Sequence, residues 1–192
     1  MASSLDQIAE RHRTRADLYA AIGRLLRQPP GPDDLLLLRA VLARHAATGG
    51  DGRDGARPLD LLRMLAAAPD LAAARREYRA RMALGTVDLA CEPSYSAVPD
   101  VAYAEAGLNP SADKVRELEV LAALNQRAAN AAVHGDARES RRLGSLERRY
   151  LSTHAGMCLA TLAGQLQKAD GFYGDVGQAL EALLEDEIHP SA

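Results

Sequence analysis

Apolar residues recur along this chain at intervals of three and four, in segments punctuated by proline and glycine, which is the pattern of amphipathic helices. In the first segment, 4–28, Leu18, Ile22, Leu25 and Leu26 form one stripe, with Ser4 placed to cap the start and Gln7 to reciprocate. Pro29-Pro30-Gly31-Pro32 stops it. A second helix is predicted over 33–47: Leu35 to Leu38 single out no face, but the acidic start at Asp33 and Asp34 favours helix over buried strand. The glycine-rich segment 49–55 lacks the ligand spacing of a calcium loop and reads as a solvent loop. Short helices are predicted over 58–68 and 70–84, the latter turning Leu71, Ala74, Tyr78 and Met82 inward and its arginines outward.

From Gly85 to Pro110 the periodicity lapses. This stretch holds Pro93, Pro99 and Pro110, and it is read as a long ordered connection around which the rest is organised. Periodicity returns over 112–134, where Ser111 is the expected cap and Val115, Leu118, Leu121, Ala122 and Leu124 the stripe. It continues over 139–168, with Leu143, Leu146, Tyr150, Met157 and Leu162 inward, and over 171–186, with Phe172, Tyr173, Val176, Leu180, Leu183 and Leu184. Gly144, Gly156 and Gly164 mark close helix contacts or small bends. The expected fold is all-α, a compact helical bundle forming a single domain over 1–192.

Composition sharpens this picture in two ways. With 47% hydrophobic residues but only 4% aromatic, the core must be built from leucine and alanine. A formal charge of -3 gives no reason to expect nucleic acid as a partner, and the arginine-rich helix 70–84 has no aromatic stacking series beside it. No apolar run is long enough to cross a membrane, and the N-terminus does not read as a secretory signal; the expected compartment is the cytoplasm.

Charge is uneven, however. Between residues 85 and 119, Asp88, Glu92, Asp100, Glu105, Asp113, Glu117 and Glu119 face only Lys114 and Arg116. Such an excess attracts a cationic peptide, and Tyr95 and Tyr103 offer it apolar contact. His154 and Cys158, four residues apart, share a helical face, but two groups complete neither a zinc shell nor a nucleophilic site. Cys91 and Cys158 are read as two separate reduced thiols, and His154 as a core histidine. No metal, no cofactor and no catalytic residue is expected.

In order along the chain, RADLYAAIGRLLRQPP, REYRARMALG before CEPSYS, YAEAGLNPSADKVRELEVLAAL and RRYLSTHAGMCLATLAGQLQKADGFYGDVGQAL together resemble the TorD/DmsD/NarJ-like redox-enzyme maturation chaperones. The resemblance covers nearly the whole chain. Cys91-Glu92-Pro93-Ser94-Tyr95-Ser96 stands where the family carries a cysteine or proline before Pro-Tyr-Glu, Ala112-Asp113 stands where an Asp-His pair is frequent, and Glu117-Leu118 and the Leu151-to-His154 pattern are retained. The resemblance implies a TorD-like bundle with a long central loop and a cytoplasmic, non-catalytic chaperone, monomer or homodimer. Its partner would be the apo catalytic subunit of a molybdenum-bis-guanine-dinucleotide oxidoreductase, often met through a twin-arginine signal peptide and held ready for cofactor insertion. The client-binding set implied is Glu92, Tyr95, Asp100, Tyr103, Glu105, Asp113, Glu117 and His154. A structural helical adaptor or subunit, or an enzyme using His154 and Cys158, is the alternative.

Overall fold

The computed structural model describes residues 4–47, 56–67, 70–83, 85, 87–91 and 97–188. Among them the regular structure is helical: α1 (Ser4–Arg27), α2 (Pro32–Ala47), α3 (Ala56–Ala67), α4 (Leu71–Tyr78), α5 (Val98–Ala106), α6 (Lys114–Val133), α7 (Ala137–Tyr150), α8 (Gly156–Leu166) and α9 (Phe172–Ile188). Two π-helical turns, Arg79–Ala83 and Leu151–Ala155, extend α4 and join α7 to α8. No described helix is long and apolar enough to cross a membrane. The segment 49–55 and residues Glu92 and Tyr95 lie outside the described residues.

Helix α6 is central. It packs along α1 on one side and α7 on the other, while α9 closes the bundle against α3 and α8. Most of its stripe is buried as the pattern required: Val115, Leu118, Leu121 and Leu124 have no exposed surface and Ala128 and Ala129 continue the face, while Ala122, expected with them, is only partly buried. With so few aromatic rings, buried tyrosines such as Tyr103, Tyr150 and Tyr173 serve as polar anchors in a leucine-alanine core. Tyr173 is enclosed and donates its hydroxyl hydrogen to the Leu25 carbonyl at 2.9 Å, tying α9 to α1.

Several local expectations are corrected. Ser4 is itself helical, within α1, and not a cap outside it. The cap of α6 is Asp113, whose carboxylate accepts from the Val115 amide at 2.9 Å, so Ser111 stands two residues too early. The central stretch is not irregular throughout: α5 lies inside it, with Pro99 in its first turn and a left-handed Gly107 (φ 69°) ending it. Pro99, Ala102 and Tyr103 are its buried residues. In α2, Leu35 and Leu38 are buried while Leu36 and Leu37 are exposed.

Met157 is expected inward and is 64% exposed. The π-helical turn at Leu151–Ala155 is the cause, since its wider i to i+5 spacing advances the chain by about one residue relative to an uninterrupted α-helix. Cys158 and Leu159 take the inward places instead. Close packing falls at Gly144, as expected, where an added Cβ would come within 3.2 Å of the His12 ring, and also at Gly177, where it would come within 2.8 Å of the Ala163 carbonyl oxygen, but not at Gly164, where it would meet nothing within 4 Å.

Candidate functional site

The site is assembled where the described part of the central stretch, Val87–Cys91, crosses the bundle. The Val87 amide donates to the Arg81 carbonyl at 3.2 Å, and the Asp88 amide to the Gln165 side-chain oxygen at 2.9 Å. Cys91 then donates its amide to the Ala112 carbonyl at 2.5 Å, and the Lys114 amide donates to the Leu89 carbonyl at 2.7 Å, making an isolated antiparallel bridge between Ala90 and Asp113. Lys114, although buried, reaches the Asp88 carbonyl at 2.8 Å. These bonds satisfy backbone groups that regular structure does not. They also direct Cys91 inward.

Cys91 is joined to Cys158 of α8 by a disulfide, with Cα atoms 5.6 Å apart and a sequence separation of 67. This corrects the expectation of two separate reduced thiols. The π-helical turn carries His154 one α-turn before Cys158, with its Nε2 3.9 Å from the Cys91 sulfur and 3.6 Å from Glu117 Oε1. All three side chains are buried, and one donor atom from each of Cys91, His154 and Cys158 lies within 4.8 Å of the others.

Behind His154 stands a polar network. Glu117 has no exposed surface; Tyr103 donates to its Oε1 at 2.8 Å and Tyr150 to its Oε2. Tyr103 also reaches the Ser111 carbonyl at 3.1 Å. The tyrosine rings meet edge to face at 6.4 Å, and Tyr150 is tilted against the His154 ring at 5.8 Å. A buried carboxylate requires donors of this kind to replace water. Burial, and after it the Glu117 carboxylate, hold both phenols well above the ordinary tyrosine range, so both remain donors.

The implied client-binding residues therefore separate into two groups. Tyr103, Glu117 and His154 come together as interior structure and offer no open surface. Asp100 is exposed in the first turn of α5, next to exposed Val101. Glu105 pairs with Arg127 at 2.8 Å and Arg142 at 2.9 Å. Asp113 pairs with Arg27, which also donates to Glu119 at 3.0 Å.

Sequence reasoning passed over Cys91 and Tyr150 as parts of a site. The four-residue spacing of His154 and Cys158 was a signal, but nothing local joins Cys91 to it. The expectation of a chain without catalytic groups is likewise corrected: the Cys91, His154 and Cys158 cluster offers a donor set able to coordinate a metal ion, the chemistry on which hydrolytic and redox sites are built. Comparison with family models, with curated proteins and with solved structures finds no match for this chain.

Proposed function

We propose that the chain is a maturation chaperone of the TorD/DmsD/NarJ-like kind, which takes the immature catalytic subunit of a molybdenum-cofactor oxidoreductase and keeps it open to cofactor insertion. The reading is supported by the full-length sequence resemblance, and it is in keeping with an all-helical bundle. The observation that carries it is the exposed first turn of α5, where Asp100 stands beside exposed Val101, with further carboxylates at Glu105 on the same helix and at Asp113 and Glu119 at the start of α6. Cationic residues of a twin-arginine or other N-terminal client segment would engage these carboxylates, and the segment's apolar part would lie on the adjoining α5 face.

Glu105, Asp113 and Glu119 already hold arginines of the chain itself. A client guanidinium would exchange with Arg27, Arg127 or Arg142 and not add to an empty site. Exchange between similar ion pairs changes free energy little, so such a contact selects by charge and releases readily. Reversible holding requires both properties.

Affinity capture from cells deficient in molybdenum cofactor, compared with replete cells, tests the reading. Enrichment of an immature molybdenum catalytic subunit, released on cofactor loading, is the expected result. No such client despite its verified expression, or equal binding of its mature form, overturns it. For a cationic client peptide, the triple variant Asp100→Asn, Glu105→Gln, Asp113→Asn should bind more weakly and with a shallower salt dependence.

A further inference from the structure

We propose that Cys91, His154 and Cys158, with the disulfide reduced, form a binding site for a borderline-soft divalent cation, zinc above all, and that disulfide formation closes it. This inference is independent of the client-binding reading. Two thiolates and an imidazole are a donor set that favours zinc over magnesium or calcium. Around a tetrahedral zinc with bonds of about 2.3 Å to sulfur and about 2.0 Å to nitrogen, sulfur and nitrogen stand about 3.5 Å apart. The His154 Nε2 to Cys91 Sγ distance of 3.9 Å is already close to that.

The remaining adjustment concerns the sulfurs, which must move from disulfide bonding distance to about 3.8 Å in the same tetrahedral geometry. Reduction breaks the bond that forbids this. The supports on either side stay in place: Cys91 is held by its amide bond to Ala112, and Cys158 and His154 lie on one continuous helical rod.

The surroundings also favour a cation. Both sulfurs and the imidazole are buried, so thiolates left there without a counter-charge would be costly. The Glu117 carboxylate, 3.6 Å from His154 Nε2, adds negative potential beside the site. Three protein donors leave a fourth position for water or for a ligand atom, as in zinc sites that act on substrates.

The balance of each step is simple. On loading, two thiols and Zn2+ give the zinc dithiolate and two protons. On closing, a low-molecular-weight disulfide such as oxidised glutathione takes two electrons from the two thiolates. Two protons are consumed, two glutathione thiols and the protein disulfide form, and Zn2+ leaves.

The test uses the whole chain in both oxidation states, with Co2+ as the spectroscopic probe. Protein reduced with a phosphine, freed of reductant and kept anaerobic is expected to take one Co2+ per chain. Sulfur-to-cobalt charge-transfer bands should appear and be abolished by Zn2+ displacement. The disulfide form should take none, and oxidised glutathione should release Zn2+ from the loaded protein. Cys91→Ser and Cys158→Ser should each remove or strongly weaken the bands, and His154→Gln should weaken Co2+ binding more than tenfold.

Absence of Co2+ binding to the reduced chain, equal binding in both states, or bands that survive both cysteine changes would overturn the proposal. Where a variant loses its helical circular dichroism, the wild-type comparison between oxidation states decides. A reduced wild-type chain that unfolds and is not restored by Co2+ or Zn2+ also overturns it.

Discussion

Reduction of the Cys91–Cys158 bond in the presence of a chelator, so that no metal replaces it, should cost this protein a large part of its stability. The bond spans 67 residues, a segment that contains α5, α6 and α7 and hence the centre of the core. In the chain-entropy model, closing a loop of that length removes about 15 cal/mol/K from the unfolded ensemble, or about 4 kcal/mol at 25 °C. A domain has only about 5–15 kcal/mol in total. At about 2–4 °C per kcal/mol for a chain of this size, the midpoint should fall by about 10 °C.

Thermal unfolding followed by circular dichroism, with and without a phosphine reductant, measures the shift, and a thiol count on native and denatured protein shows which state is present. Because both cysteines are buried, reduction should also be much slower in the native protein than in denaturant. Two thiols titrating in native, unreduced protein, or an unchanged midpoint after verified reduction, would refute the reasoning.

Other outcomes are expected of the surrounding structure. Tyr150→Phe removes a donor from the buried Glu117 carboxylate and should cost about 1.5–3 kcal/mol in chemical denaturation; a loss below about 0.5 kcal/mol would mean that the carboxylate does not depend on it. Tyr103, Tyr150 and Tyr173 are held above the ordinary tyrosine range, in each case first by burial. Their stabilisation is therefore complete below about pH 10, the unfolded value, and is lost as pH rises from there toward the raised folded values, because the unfolded chain ionises first. Spectrophotometric titration of the folded protein should show these three failing to ionise near pH 10, with all six tyrosines ionising there only in denaturant. Gly177→Ala, which would press a methyl group to 2.8 Å from Ala163 O and Leu166 Cβ, should cost about 1–3 kcal/mol by overpacking. Gly164→Ala, with nothing within 4 Å, should instead stabilise by about 0.5–1 kcal/mol through helix propensity, and a melt of each variant separates the two signs.

The helices were legible because their causes are local. Leucine and alanine at helical spacing, Pro29-Pro30 as a stop, and the acidic first turn at Asp33 and Asp34 act over one or two turns. They determine an all-α chain with a leucine-alanine core whatever lies elsewhere. Asp113 against Ser111 as the cap of α6 was a choice between neighbours that only the observed amide bond to Val115 resolved.

The site was decided at longer range. The phase shift at Leu151–Ala155 that exposes Met157 and turns Cys158 inward arises from a π-helical turn, for which spacing alone carries no signature. Glu117 looked like a surface acid on an acidic helix start; it is interior because Tyr103 from α5 and Tyr150 from α7 supply the donors that make its burial tolerable. Cys91 meets His154 and Cys158 only because the bridge between Ala90 and Asp113 aims the central stretch into the bundle. Local propensity is summed along the chain and can be read there, whereas a buried charge and a three-residue donor cluster depend on which distant side chains the packing brings within reach.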